Sequence, residues 1–165
     1  MVKNKIAKQN LIRILQNAHA GELAAAYAYR GHWKSVRDKV QKARIKQIEN
    51  EEWDHRGRVK VWLETLGAGP RANRERIFWT IGKTLGILCH ASGWFFPMYF
   101  AGRLESQNTQ EYRDAASFAK ELGMDECFKD LLHMSEKELE HEEYFRSVVA
   151  DHWLLRPTKL FFRWS

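Results

Sequence analysis

At 165 residues the chain has room for one real hydrophobic core and is short for several domains, so residues 1–165 are expected to form a single unit. Aromatic residues make up 13% of it, against ten glycines and three prolines, which excludes a disordered polypeptide. The net charge of +6 points to an anionic partner, a membrane surface or a nucleic acid, against the plainer reading of a solvated basic surface.

Strand signals are nearly absent. No run alternates cleanly and good helix formers dominate, so the expected fold class is all-α. Met1 to Asn10 is polar, carries three lysines and precedes no apolar run, so no signal peptide is expected. Cys89 and Cys127 belong to no C-x-x-C, and two buried thiols in a reducing compartment are the default.

The first helix is expected from about Gln9 to Val36. Leu15, Ala18, Glu22, Ala25, Tyr29 and His32 share one face, with Glu22 an acid inside an apolar stripe. His19 and His32 lie near this face and read as hydrogen-bonded core or rim residues rather than ligands. Asp38 is the expected N-cap of the second helix, which stops at Gly67-Ala68-Gly69-Pro70. Within it Ile45, Ile48, Glu52, His55, Val59, Trp62 and Leu66 form one continuous face.

A further helix is expected from Asn73 to about Ala91. The 19 residues from Thr84 to Gly102 carry no formal charge, which approaches a membrane span, but Gly86, Gly93 and Pro97 cut the stretch. A turn near Ser92-Gly93, leading to a third bundle helix from about Pro97, fits better than a transmembrane helix. Trp79, Leu85, Trp94, Phe95 and Phe96 then either form an apolar surface for a lipid or partner, or pack on the bundle. Glu105, Tyr112, Ala115 and Ala119 share the third bundle helix's inner face. Gly123 ends that helix, and Asp125 is the expected cap of the last one. The last helix carries the stripe Phe128, Leu131, Ser135, Glu138, His141, Phe145 and Val148. After a core of about residues 9–153, the basic-aromatic tail ending at Ser165 is either an interfacial anchor or a strap across the bundle.

Two of the seven histidines follow a glutamate by three residues, His55 after Glu52 and His141 after Glu138. On a helix that spacing puts carboxylate and imidazole on one face, where together they can hold one ion. A lone Glu-x-x-His is a weak signal, usually a solvated pair. Here each pair interrupts an apolar stripe, and a bare buried carboxylate costs several kcal/mol. Such groups are paired, protonated or metal-bound.

The turns supply an independent check. Helices joined by a short turn bring residues equidistant from it to equal depth. The midpoint between Glu22 and the Glu52/His55 pair falls on Asp38. The midpoint between Glu105 and the Glu138/His141 pair falls at Leu122-Gly123. Each lone glutamate therefore meets its Glu-x-x-His at one level, giving the donor set of a dinuclear carboxylate site in a four-helix bundle. Four carboxylates balance two divalent cations, and oxygen and imidazole donors without thiolate suit iron or manganese. Glu52 and Glu138 are expected to bridge, each with its histidine terminal on one metal, and Glu22 and Glu105 to be terminal. Two Fe(II) ions there would supply electrons to break an O–O bond.

Ligand order and spacing resemble the ferritin-like hydroxylases, most closely the demethoxyubiquinone hydroxylase family of quinone biosynthesis. The resemblance is carried by Glu22, Glu52, His55, Glu105, Glu138 and His141, by the short first Glu-to-Glu interval and by the long apolar insert before Glu105. Tyr112, two turns beyond Glu105, is similar to a tyrosine that the family places near its metals. The resemblance spans about Ala18 to Val149 and does not cover the tail.

It implies a ferritin-like four-helix bundle with an extra apolar helix between bundle helices 2 and 3. It implies two iron ions, with manganese as the alternative, and O₂-dependent hydroxylation of a lipid-tailed quinone or quinol ring. Tyr112 is then a relay for a proton or electron, or a hydrogen bonder to a ligand. The implied partners are O₂, a quinone or quinol or other apolar substrate, an unspecified electron donor, a membrane surface and a second copy in a homodimer. The implied location is cytoplasmic, at the inner face of a membrane. Three rivals remain at this point: a tRNA hydroxylase on the same scaffold, an iron-oxidising or peroxide-consuming ferritin-like protein, and a metal-free interaction bundle.

Overall fold

The computed structural model of the chain describes residues 2–164; Met1 and Ser165, the ends of the lysine-bearing N-terminal stretch and of the tail, lie outside the described residues. Six helices follow one another: α1 (Val2–Ser35), α2 (Lys39–Thr65), α3 (Ala72–Leu88), α4 (Phe95–Glu121), α5 (Asp125–Val149) and α6 (Leu155–Phe161). No strand occurs among the described residues. The bundle comprises α1, α2, α4 and α5, with α3 the extra helix between the second and third of them.

Helix α1 starts earlier than its expected boundary near Gln9 because the apolar stripe does not stop there. Ala7 and Leu11 are buried and extend the line of Leu15 and Ala18 by further turns. Asp38 caps α2 as expected, its carboxylate accepting from the Gln41 amide at 2.8 Å. Helices α2 and α4 end in the same way. Gly67 and Gly123 both take a φ of 71°, which a side chain disfavours. The following amides, of Ala68 and Met124, donate to the carbonyls of Leu63 and Ala119. Asp125 does not cap α5: Met124 takes that position without a side-chain bond. Asp125 and Glu126 instead put negative charge in the first turn, where the helix dipole favours it.

Hairpins α1/α2 and α4/α5 pack against each other through α1 on α4 and α2 on α5. Both cross-pairings are antiparallel: Glu22 meets Tyr112 while Tyr29 meets Glu105, and His141 meets Glu51 while Asp130 meets Trp62.

Helix α3 lies on α1 at backbone contact. Gly86 lies inside it, as the helix expected from Asn73 to about Ala91 has it. A Cβ on Gly82 would come within 2.5 Å of the Ala24 carbonyl oxygen, and one on Gly31 within 2.2 Å of Gly86's. These glycines are where two helices touch, and the break falls later, at Gly93, with a φ of 77°. Helix α3 therefore ends at Leu88 rather than near Ala91. Helix α4 begins at Phe95 rather than Pro97, which a first-turn proline permits because its missing N–H has no intrahelical partner.

Of the apolar residues of the insert, Phe95 is buried in the bundle, whereas Trp79, Leu85, Trp94 and Phe96 stay exposed. No helix among the described residues is long and apolar enough to cross a membrane. The end of the tail is a strap. Trp164 is 5% exposed, stands edge-on to Tyr99 and donates to Glu142 at 2.8 Å. It sits on Gly102, where a Cβ would meet its ring at 2.3 Å. Trp153, Leu160 and Phe161, earlier in the tail, remain exposed. Cys127 is buried, and Cys89 only partly so; both are free thiols.

Candidate metal centre

The core divides into two apolar clusters. One joins Leu11 and Leu15 of α1 to Leu63 of α2, Ala115 of α4 and Leu131 of α5. The other joins Val36, Ile45, Tyr99 and Val149 at the opposite end. On every bundle helix the expected donors fall between these two sets. Glu22, Glu52, His55, Glu105, Glu138 and His141 are all buried there.

The six fall into two overlapping groups. Glu22, Glu52, His55 and Glu138 each offer one donor atom within 4.8 Å of the others, and so do Glu52, Glu105, Glu138 and His141. Glu52 and Glu138 belong to both, the arrangement that two bridging carboxylates require. Among the described residues, both oxygens of Glu52 and of Glu138, Oε2 of Glu22, and Nδ1 of His55 and of His141 lack hydrogen-bond partners. His55 Nδ1 lies 2.8 Å from a Glu138 oxygen without the alignment of a hydrogen bond. Buried polar atoms left unpaired in one place cost stability unless a ligand takes them up. This donor set fits two divalent cations.

The charges agree. Burial, reinforced by the neighbouring carboxylates, raises Glu52 and Glu105 well above the ordinary carboxylate range and pushes Glu138 up to about 8. Cations between them would reverse that penalty.

Two tyrosines complete the centre. Tyr112 of α4 donates to Glu22 of α1, and Tyr29 of α1 donates to Glu105 of α4. Burial first, then the nearby carboxylates, raises both phenols well above their ordinary range, so both keep their protons. Asn108 also donates to Glu105, at 3.0 Å. Sequence reasoning singled out Tyr112 but not the role of Tyr29, although each stands seven residues beyond its own helix's glutamate.

Glu51 was also missed. It meets His141 Nε2 at 2.7 Å and accepts from Arg44 and Gln47. Partial burial works against its ionisation, but these bonds and the Arg44 charge hold its carboxyl down at about 2. A carboxylate on the outer nitrogen fixes a ligating histidine's tautomer and orientation. His19 and His32 lie outside both groups; His19 meets Glu75 of α3 at 2.8 Å.

A cavity of about 400 Å³ between α1, α3 and α4 extends to Tyr29, the residue that donates to Glu105. Ala25 and Ala28 open the space, and Leu88, Phe96, Phe100 and Leu104 line it. Tyr29 lines it too, so one phenol ring borders the cavity while its hydroxyl holds Glu105.

A model of the family described as "Ubiquinone biosynthesis protein COQ7" matches residues 9–144. The chain belongs to the COQ7 family. Its members are hydroxylases of ubiquinone biosynthesis within the ferritin-like di-iron carboxylate proteins. All six clustered donors, both tyrosines and Glu51 fall inside the match, whereas the Trp164 strap falls beyond it. Searches of curated proteins and of solved structures each found no match.

Proposed function

We propose that this COQ7-family chain is an O₂-dependent di-iron monooxygenase that hydroxylates the ring of a lipid-tailed quinone or quinol. The observation that carries the reading is the junction at Tyr29 between an apolar cavity and the six-donor cluster. An aromatic ring with an alkyl tail matches such a cavity in size and polarity.

Glu52 and Glu138 would bridge two irons, Glu22 and Glu105 would each bind one, and His55 and His141 would complete the halves. When bound, two reduced irons supply the electrons that split dioxygen. The protein's own part is placement. Tyr29 and Tyr112 hold the two lone carboxylates by O–H donation, and Glu51 holds the His141 ring. The cavity lining keeps water from the ring to be oxidised. We assign Tyr112 a positioning role; a proton or electron relay through it is the alternative.

Exposed Leu85, Leu88, Phe96, Phe100 and Leu104 line the cavity, and Trp79 is exposed on the same helix as Leu85. We propose that this face meets a membrane, from which the substrate's tail enters. No lysine or arginine lines the cavity, which favours a quinone over tRNA.

The test is anaerobic loading with Fe(II), then O₂, with a quinol, with tRNA and without substrate. The quinol should gain one oxygen atom by mass. Oxygen on the RNA, or iron oxidation with no product, would refute the reading. Loading with manganese in parallel identifies the active metal.

A further inference from the structure

We infer that His32 reads the polar edge of the substrate, its imidazole Nε2 hydrogen-bonding a ring oxygen of the quinone or quinol held in the apolar cavity. This rests on the cavity reading above and adds a residue to it.

Hydrocarbon lines nearly all of that cavity, and few polar groups border it. The Tyr29 hydroxyl is already committed to Glu105. The Cys89 thiol is a weak donor, and Ser92 belongs to the exposed turn before α4. His32 differs from all three: its side chain is 3% exposed, and Nε2 has no partner among the described residues. An unpaired buried nitrogen is costly, and so is an unpaired ring oxygen entering hydrocarbon. One hydrogen bond removes both penalties.

The imidazole is also held in place. It stacks on Phe145 at 6.1 Å and 14°, and on Tyr29 at 6.4 Å and 19°. Its direction is therefore set before any ligand arrives, which lowers the ordering cost of binding. Burial pushes its pKa down to about 4, so the ring is neutral at physiological pH. A neutral imidazole has one donor and one acceptor nitrogen, and so serves a quinone carbonyl or a quinol hydroxyl without putting charge into the cavity. His32 also borders a second, more polar cavity of about 390 Å³ lined by Arg37, Asp38, Gln41 and His90. It thus stands at the boundary between hydrocarbon and polar space, where the oxygen-bearing edge of an amphipathic ring belongs.

The test is anaerobic binding to the full-length, metal-loaded protein. The ligands are a short-tailed methoxy-benzoquinone, read by tryptophan quenching, and an alkylbenzene of like size, read by competition. His32→Leu should weaken the quinone about tenfold and leave the alkylbenzene unchanged. His32→Gln, which can still hydrogen-bond, should recover most of the loss. Ala101→Trp, which fills the cavity, should lose both ligands.

If Ala101→Trp binds quinone like the wild type, the cavity reading itself fails. If Ala101→Trp loses quinone while His32→Leu keeps it, the cavity stands and the role of His32 is overturned. A readout on the wild type guards against misfolding of the leucine variant. The carbonyl stretch of the bound quinone should fall below its position in hydrocarbon solvent, and an unshifted stretch overturns the inference.

Discussion

Glu22, Glu52 and His55 on one side and Glu105, Glu138 and His141 on the other repeat one arrangement across the bundle. The repeat extends to the tyrosine on the same helix seven residues beyond each lone glutamate, which crosses to the other half. The surroundings do not repeat. His141 is braced by Glu51, whereas the matching position before Glu138 is Lys137, which turns outward to Glu140. Glu105 borders, through Tyr29, a cavity of about 400 Å³; the space beside Glu22 and Tyr112 is about 20 Å³. A matched set of donors suits a pair of ions, and unmatched surroundings decide from which side a ring can approach.

The largest effect should come from breaking what the halves share. Glu138 belongs to both donor groups and Glu22 to one. Glu138→Ala should lose both metals and all turnover, whereas Glu22→Ala should keep about one metal per chain. Metal-to-protein ratios measure the difference. Helix content should persist in both, and metal-free Glu138→Ala should be at least as stable as the parent, because an uncompensated buried acid is gone. Two metals and full turnover in that variant would overturn the ligand assignment.

Next in size is a pH effect on the metal-free protein. Glu52, Glu105 and Glu138 have folded-state values raised above the unfolded one of 4.5, Glu138 to about 8. An acid shifted upward favours folding fully below its unfolded value and loses that contribution as pH rises through its folded value. The melting temperature of metal-free protein should therefore fall between pH 4.5 and 8. Loading with Fe(II) should flatten the upper part of that slope. A metal-free curve that rises over this window would show that these carboxylates are not crowded as described.

A smaller change should expose the asymmetry itself. Glu51→Gln removes the charge that braces His141 and leaves the other half untouched. By the usual cost of losing such a support, metal affinity should drop by about 10- to 100-fold. The loss should fall on one ion of the two, seen as biphasic release to a chelator. Monophasic release at the parent rate would mean that the brace does not matter.

The six donors were legible because their chemistry is periodic. A Glu-x-x-His inside an apolar stripe marks a buried face, and the turns at Asp38 and Gly123 fix its depth. Glu51 escaped because it is next to Glu52 in sequence and so lies about 100° around the helix, off the stripe. Periodicity put Tyr29 on the core face but could not name the carboxylate it reaches, since that partner is on another helix. Gly82 and Gly86 fell inside the expected helix, but their role as its contact with α1 was opaque for a related reason, since it depends on a neighbour that the pattern does not name. The seat of Trp164 on Gly102 joins distant parts of the chain and leaves no local pattern at all.

The mildest and sharpest comparison sets Tyr29→Phe beside Tyr112→Phe. Each removes one O–H donor to a buried carboxylate and leaves the ring, so both variants should keep two metals. The net cost of such a hydrogen bond is about 0.5–1.5 kcal/mol, which limits any loss of metal affinity to about tenfold. Their effects on substrate should differ. Tyr29 borders the cavity, so its loss lets Glu105 move beside the bound ring and should raise KM for the quinol. Tyr112 is on the closed side, so KM should stay at the parent value while kcat falls modestly. If Tyr112→Phe instead abolishes turnover with both metals bound and KM unchanged, the hydroxyl carries a proton or electron rather than merely holding Glu22. If it loses metal outright, the carboxylate it holds cannot ligate unaided, and the half that carries Glu22 depends on the other half's tyrosine.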